Sequence, residues 1–280
     1  MRLSRFAALF VLVVALAGCG SDKVTDPSFP PLAGVRFVNA VSDTSALDFR
    51  VIDQILFTPV ANALAYRGAT EYQPTEAKER HVRVFVTSQN QAIASNPIDD
   101  ELITFAANSR YTLLLTGSAR VPGSVKFVVT NDDAAVPAAG QIAVRTGNVS
   151  SGAIDNYLVD STTTPISGAP TIANVAAGAL SSYIARPTGK QAARVTPAGS
   201  AAVSASQQGP PAPELAGAIP AAGVTSAGSA FTVMYFPAGV AGSPTAPATG
   251  TNRCAVNGGT APLVTCSPTV VWYADRQPTQ

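Results

Sequence analysis

The sequence predicts an all-β fold built from two tandem β-sandwich domains. Short runs rich in β-branched and aromatic residues alternate with Gly, Pro, Asn and Asp, as at Val35–Ala40, Val82–Thr87 and Tyr111–Thr116. A strand every 8 to 12 residues, roughly, is typical of a sandwich. Helical periodicity beyond the N-terminus is weak, and one short helical turn is expected within Asn62–Tyr72.

Two of these runs indicate how their strands lie in a sheet. The valines of Val82–Val86 alternate with other residues, so we expect them to face one side. Tyr111–Leu115 is a more continuous apolar run, as in a strand of a sandwich core.

The second half of the chain repeats the first, which predicts a duplication. Val35-Arg36-Phe37-Val38-Asn39 matches Val144-Arg145-Thr146-Gly147-Asn148. Further matches follow in the same order: Leu47-Asp48 with Ile154-Asp155, Gly68 with Gly178, Tyr72 with Tyr183, Arg83-Val84 with Arg194-Val195, and Tyr111–Leu114 with Phe231–Met234. We place the first domain at residues 34–134 and the second, more diverged domain at 139–280. The second carries insertions at Gln207–Ala222, rich in Pro and Ala, and at Gly239–Pro268, which holds a cysteine pair.

The N-terminus has the features of a lipoprotein signal peptide. Two arginines precede Phe6–Ala17, an apolar run of twelve residues that is too short to span a bilayer. The run ends in Leu16-Ala17-Gly18-Cys19, which resembles the lipobox of bacterial lipoproteins. The resemblance implies cleavage after residue 18 and lipid attachment to Cys19, with residues 19–33 as a tether and Gly20 favouring the outer membrane. An ordinary secretory signal is the alternative.

The other two cysteines predict a disulfide. Cys254 and Cys266 form an even pair in an exported protein, and they close a loop of about 13 residues. A metal site is the rival interpretation, but no His lies near the pair in sequence.

The charge balance argues against binding of nucleic acid. The chain has 18 Lys+Arg and 17 Asp+Glu, and charged residues make up 12% of it. Residues 1–18 hold two Arg and no acid, so the mature chain has 16 bases against 17 acids. No basic footprint for phosphates is present.

The repeated motif Val-Arg-x-x-Asn, followed by Leu-Asp or Ile-Asp, resembles secreted and lipoprotein repeats of domain-of-unknown-function family 4397. The resemblance extends over most of residues 33–274, in two copies, and the second copy is degraded. It implies immunoglobulin-like or transthyretin-like β-sandwiches. The family has no established activity, so the resemblance informs fold more than function.

We expect structural roles for the residues of this motif. Arg36 is predicted to pair with Asp48 across neighbouring strands, and Arg145 with Asp155, which would set strand register. Asn39 and Asn148 precede loops, where side-chain bonds to the backbone would cap turns. The alternative is that these residues bind a ligand.

The sequence offers little for catalysis, and we predict no catalytic residue, cofactor or metal. His81 is the single histidine and is expected at the rim of a strand, which limits both triad and zinc chemistry. Asp99-Asp100-Glu101 and Asn131-Asp132-Asp133 are interpreted as solvated acidic loops, with weak Ca²⁺ binding as the alternative.

The expected function is therefore that of a lipid-anchored, non-enzymatic cell-envelope protein acting as a structural or interaction module. Its expected partners are the membrane, through the anchor, and an envelope protein or glycan. The first alternative is a carbohydrate-binding or adhesive lipoprotein that uses exposed aromatics such as Trp272 and Tyr235, although core packing would equally explain them. A hydrolase with an unrecognised carboxylate site ranks third.

Overall fold

A computed structural model describes residues 29–53, 56–213, 221–240 and 266–278. Within these residues the chain forms sixteen strands in four sheets, with one short helix. The first eight strands are β1 (Leu32–Asn39), β2 (Leu47–Val51), β3 (Val60–Leu64), β4 (Gln73–Glu76), β5 (Glu79–Val86), β6 (Pro97–Thr104), β7 (Arg110–Thr116) and β8 (Lys126–Asn131). The last eight are β9 (Gln141–Asn148), β10 (Ile154–Val159), β11 (Ile172–Val175), β12 (Ile184–Pro187), β13 (Ala192–Pro197), β14 (Ala205–Gln208), β15 (Ala230–Phe236) and β16 (Thr269–Arg276).

The strand order is the same in the first eight strands and in the last eight. The first sandwich consists of the sheets β4-β1-β7-β8 and β3-β2-β5-β6, and the second of β12-β9-β15-β16 and β11-β10-β13-β14. In both, the first and seventh strands pair in parallel, and the other pairings are antiparallel. The predicted all-β sandwich fold is confirmed.

The predicted helical turn in Asn62–Tyr72 is wrong. That segment holds the end of β3 and the turn after it, and the short helix α1 lies instead at Gln91–Ala94. Asn90 caps α1, because its side chain accepts a hydrogen bond from the backbone N–H of Ala92 at 3.0 Å. Asn62, which is of the same residue type, lies instead in β3, where pairing with β2 takes the place of a helix start.

Each sandwich encloses its own apolar core. In the first, Phe37 and Phe49 come from opposite sheets, and their ring centroids lie 5.1 Å apart. Val82 and Val84 point into this core together, as their alternation predicts. The second core is formed by buried residues from both of its sheets: Ile142, Val144, Ile154, Leu158, Val195, Phe231, Val233 and Tyr235.

A third apolar core joins the two sandwiches. Val38 and Leu114 of the first sandwich pack with Met234, Phe236 and Tyr273 of the second, all nearly inaccessible to solvent. The sheets β4-β1-β7-β8 and β12-β9-β15-β16 therefore face each other, and we call them the inner sheets. Because β7 is a central strand of its inner sheet and is buried on both faces, its apolar run is continuous.

Where the inner sheets touch, large and small side chains complement each other. Val38 lies beside Leu114 in the first sandwich, and the equivalent neighbours in the second are Gly147 and Met234. A Cβ on Gly147 would lie 2.5 Å from the sulfur of Met234, so the larger residue occupies the space that glycine leaves.

Candidate functional site

A cluster of charged side chains lies buried where the two inner sheets meet. Arg36 and Arg145 are 3% and 5% exposed, and Asp132 and Asp275 are each 1% exposed. Charges are rarely buried to this degree unless they are paired and hydrogen-bonded. We call these four residues the Arg–Asp cluster.

Arg36 contacts both sandwiches. Its Nε and Nη2 donate to the hydroxyl of Thr112 on the neighbouring strand β7, at 3.0 and 2.7 Å. The same Nη2 donates to Oδ1 of Asp275 in the second sandwich at 2.7 Å, and Nη1 donates to the carbonyl of Ala274 at 3.1 Å. The guanidinium of the first sandwich is thus held by the last strand of the second.

Arg145 makes the reciprocal set of bonds. Its Nε donates to the hydroxyl of Thr232 on β15 at 2.8 Å, and its Nη2 donates to Oδ1 of Asp132 at the end of the first sandwich. Its Nη1 donates to the carbonyl of Asn131 at 3.1 Å. Each sandwich therefore supplies one arginine to the other and receives one in return.

Each aspartate is held by a threonine and a tyrosine of its own sandwich. Oδ2 of Asp132 accepts from Thr112 at 2.6 Å and from Tyr72 at 2.8 Å. Oδ2 of Asp275 accepts from Thr232 at 2.6 Å and from Tyr183 at 2.9 Å. These bonds within each sandwich orient the carboxylates toward the arginine of the other sandwich.

The tyrosine rings also cover the guanidinium groups. Arg36 lies 4.8 Å from the ring centroid of Tyr72, and Arg145 lies 4.6 Å from that of Tyr183. Burial lowers the pKa of Arg36, but the nearby carboxylates of Asp275 and Asp132 outweigh it, so its pKa lies above the usual value. Burial raises the pKa of both tyrosines. The guanidinium of Arg36 therefore stays charged, and the cluster serves as a fixed connection.

The predicted partners of the two arginines are wrong. Asp48 accepts from the backbone N–H of Ala63 and from the hydroxyl of Thr87, both at 2.7 Å, on the opposite side of the sandwich from Arg36. The prediction failed because Arg36 and Val38 alternate with core residues and so face the other sandwich, whereas Asp48 lies in an outer sheet.

Asp155 has the same role as Asp48. It accepts from the N–H groups of Asn174 at 2.7 Å and Gly199 at 2.8 Å. Ala63 and Asn174, the residues bonded by the two aspartates, have positive φ angles of 50° and 51°. Each aspartate thus stabilises an irregular residue where the neighbouring edge strand shifts register.

Asn39 and Asn148 connect turns to neighbouring strands. Oδ1 of Asn39 accepts from Val41 N–H at 3.0 Å, and its Nδ2 donates to the carbonyl of Leu64 at 2.9 Å. Asn148 makes the equivalent bonds to Ser150 and Val175, both at 2.9 Å. The asparagines of the motif therefore cap the turns after β1 and β9.

Asp132 and Asp275 are the members of the cluster that sequence reasoning missed. Asn131-Asp132-Asp133 was interpreted as a solvated loop, but Asp132 is buried, and this interpretation is wrong for it. A signal existed: both aspartates lie at the end of the strand that pairs with the aromatic-Thr strand of their sandwich, Asp132 just after β8 and Asp275 within β16. The repeated Tyr72 and Tyr183 belonged to the same pattern.

Arg67 reaches from the first sandwich to the base of the Gly239–Pro268 insertion. Its Nη2 donates to the carbonyls of Pro237 at 2.7 Å and Ser267 at 2.6 Å. Arg67 has a φ of 71°, as does Gly178, and the N–H of each bonds the carbonyl of the motif asparagine. The structural equivalent of Gly178 is therefore Arg67, which corrects the sequence match with Gly68 by one position.

The acidic run Asp99-Asp100-Glu101 lies within β6, so its interpretation as a loop is wrong. Asp100 faces outward and contacts His81, while Arg83 donates to it at 2.8 Å. Asp99 faces the other way and is 9% exposed. Burial, with the neighbouring charge of Glu101, raises the pKa of Asp99 to about 6.

We expect Asp99→Asn to stabilise the protein at neutral pH. Since the pKa of Asp99 in the folded state is about 6 and its ordinary value is 3.8, the ionised carboxylate costs stability above pH 6. Stability of the wild type should rise as pH falls from about 7 to 5, and the variant should lose this rise. The gain at pH 7 is at most about 3 kcal/mol, measured by urea unfolding at several pH values.

Asp100→Asn is the matched control for this prediction. Slight burial opposes the effect, but hydrogen bonds from His81 and Arg83 lower the pKa of Asp100. Its neutralisation should not stabilise the protein at pH 7. If Asp99→Asn and Asp100→Asn behaved alike, the assigned environment of Asp99 would be wrong.

The two aromatics considered as ligand-facing differ in the structure. Tyr235 is 7% exposed within the second core, so its assignment to a ligand face is wrong. It fails because β15 is an inner strand covered on both faces. Trp272 is partly exposed at the edge strand β16 and lines a cleft.

Several predicted features lie outside the described residues or concern the membrane. Cys19 and Cys254 are not among the described residues, so the lipid attachment and the bond to Cys266 stay predictions. In the part of the chain that the structure describes, no helix is long and apolar enough to cross a membrane. The same part contains no cluster of three or more His, Cys, Asp or Glu placed to hold a metal ion.

Comparison with known proteins finds one protein-family model that matches part of this chain. Residues 33–157 match a domain of unknown function, DUF4397. The match runs from β1 to within β10 and includes both Val-Arg-x-x-Asn motifs. No curated protein matches the sequence.

Two solved structures with some similarity are carbohydrate-binding modules. One is a family 26 module from Eubacterium rectale Amy13K in complex with maltoheptaose, at 10% identity and a TM-score of 0.23 over 72% of this chain and 91% of that chain. The other comprises family 41 modules from streptococcal virulence factors, at 10% identity and a TM-score of 0.21 over 63% and 86%. Similarity of this degree says nothing about ligands.

Proposed function

We propose that the protein is a lipid-anchored, non-enzymatic cell-envelope protein whose folded body is a rigid structural or interaction module. The observation that carries the proposal of a rigid module is the Arg–Asp cluster. Its charged groups bond one another across the two sandwiches and are nearly inaccessible to solvent. The motif arginines Arg36 and Arg145 thus hold the two sandwiches together.

The cluster supports a rigid body more than a stable one. Buried ion pairs gain little net stability, because desolvation offsets most of their attraction. Their bonds are directional, however, and only one relative placement of the two inner sheets satisfies all of them. Together with the third apolar core, this favours a module that presents its outer surfaces at constant positions.

We also propose that residues 34–134 and 139–280 are two copies of one domain, the second diverged. The same strand order in both sandwiches supports this. So do the equivalent sets of bonds made by Arg36 and Arg145, and by Asp48 and Asp155. The copies then meet through equivalent surfaces, as the subunits of a two-fold dimer do.

The N-terminal sequence supports the anchor. Cleavage before Cys19 and its acylation with two or more chains would hold the protein stably on a membrane, and residues 19–33 would act as the tether. Gly20 favours the outer membrane. The proposed Cys254–Cys266 disulfide fits export to an oxidising compartment.

Cys19→Ala should release the protein from membranes. The variant lacks the thiol that accepts the lipid, so it should lose fatty-acid labelling and move to the soluble fraction of cells that process lipoproteins. Cys254→Ala is the control, and it should remain labelled and membrane-bound. A Cys19→Ala protein that still fractionated with membranes would contradict the anchor.

A further inference from the structure

The second sandwich carries a cleft between two edge strands. It has a volume of about 450 Å³ and is lined by Gln207–Pro211 on one side and Val270–Trp272 on the other. β14 is an edge strand of the outer sheet and β16 of the inner sheet, so the cleft lies along the open side of the sandwich.

The indole of Trp272 is held in a fixed orientation in this cleft. Its Nε1 donates to the carbonyl of Gln207 at 3.3 Å. Its ring meets that of Phe231 edge-on, with centroids 5.8 Å apart and planes at 75°. A Cβ at Gly209 would lie 2.6 Å from Val224 and 3.3 Å from the ring, so glycine there leaves room for both side chains. The ring therefore has a fixed orientation, with one part packed against the second core and the rest exposed to solvent.

The other groups around the cleft are polar without being charged. Gln207 is exposed and lies on the same face of β14 as the core residue Ala205, so its amide borders the open side of the sandwich near Trp272. Gln208 is also exposed but points to the opposite face, where its Nε2 donates to the carbonyl of Gln191 at 2.8 Å. None of the residues that line this cleft carries a charge. An amide beside an apolar ring suits a neutral ligand with many hydroxyl groups.

The first sandwich shows that the fold does not require tryptophan here. Trp272 lies opposite Val233 on β15, and the equivalent residue opposite Leu113 on β7 is Val129. Val129 is 40% exposed, so a valine is sufficient at this edge of a sandwich. The large ring at position 272 is thus an addition specific to the second sandwich.

We infer that this cleft binds a neutral carbohydrate, with Trp272 as the stacking surface and the amide of Gln207 as a hydrogen-bonding group. An adjoining cleft of about 390 Å³ shares Gln208, Gly209 and Pro211, but it is also lined by Asp160 and Lys190, so the uncharged part of the site is the cleft beside Trp272. The inference deepens the proposed function and rests on it in one respect, since it names the class of partner for the anchored module.

The protein has one tryptophan, so its fluorescence reports on this cleft directly. Neutral hexasaccharides of glucose, xylose, mannose and N-acetylglucosamine should be titrated into the full chain carrying Cys19→Ala, with an uncharged proline-rich peptide alongside. We expect at least one oligosaccharide to shift the emission saturably and the peptide to leave it unchanged. A response to the peptide alone, or to nothing at concentrations up to about 10 mM, would overturn the inference.

The most informative variant is Trp272→Val, which introduces the valine found at the equivalent position, Val129, of the first sandwich. Isothermal titration calorimetry should show affinity reduced about tenfold or more, while the unfolding midpoint stays near that of the parent chain. Gln207→Ala should weaken binding without a change in folding, and Val129→Ala, the matched control, should leave it unchanged. Retained affinity in Trp272→Val would contradict the site. Membrane fractionation of the Cys19→Ala variant tests the lipid anchor without any sugar. A negative result in one experiment therefore leaves the other proposal standing.

Discussion

Arg36→Met should destabilise the protein by about 3–5 kcal/mol, the largest single effect that we predict. The substitution removes the guanidinium and leaves the carboxylate of Asp275 without its arginine in a site that is 1% exposed. An uncompensated buried charge costs far more than the ion pair itself contributes. Urea unfolding monitored by circular dichroism measures the loss.

Two further variants distinguish the effect of breaking the Arg–Asp cluster from the effect of simply removing a positive charge. Arg50→Met removes an arginine whose pair with Asp48 is partly exposed, at 35% and 24%, so it should cost less than about 1 kcal/mol. The double variant Arg36→Met with Asp275→Leu should recover part of the loss, because it removes both charges. If Arg36→Met were as stable as the wild type and lost a binding partner, the structural role of Arg36 would be wrong.

Gly147→Val should destabilise the protein by about 1–3 kcal/mol through overpacking. Its Cβ would lie 2.5 Å from the sulfur of Met234, which is itself 1% exposed and has little space to move. The clash falls between the inner sheets, where it forces them apart. Thermal and urea unfolding of the purified variant measure the effect.

Met234→Leu in the same chain should restore much of that stability. The double variant recreates the pair of Val38 and Leu114 that the first sandwich uses at the equivalent position. Gly152→Ala is the control, because nothing lies within 4 Å of the added methyl group, and its effect should be within about 0.5 kcal/mol. A double variant no more stable than Gly147→Val would contradict the equivalence of the two pairs.

The sequence predicted the fold because each strand carries its own signal. Alternation in Val82–Val86 and the turn residues between runs are local properties, and the Val-Arg-x-x-Asn repeat locates β1 and β9. The motif asparagines were also predictable, since an asparagine that precedes a loop bonds the backbone beside it.

The Arg–Asp cluster was not predictable in the same way. Arg36 and Asp275 are separated by 239 positions, and they meet only because two inner sheets pack face to face. Within one sandwich, Asp48 is the acid that the repeated motif places after Arg36, so reasoning restricted to a single domain selects the wrong partner. The buried state of Asp132 follows from the same contact, since its position after β8 would otherwise be at the surface.

Differential scanning calorimetry of the full chain carrying Cys19→Ala tests most directly whether the two sandwiches form one rigid unit. The reciprocal cluster and the shared core predict one transition, with equal calorimetric and van't Hoff enthalpies. Two transitions, or a calorimetric enthalpy about twice the van't Hoff value, would mean that the sandwiches unfold independently and would contradict a rigid module.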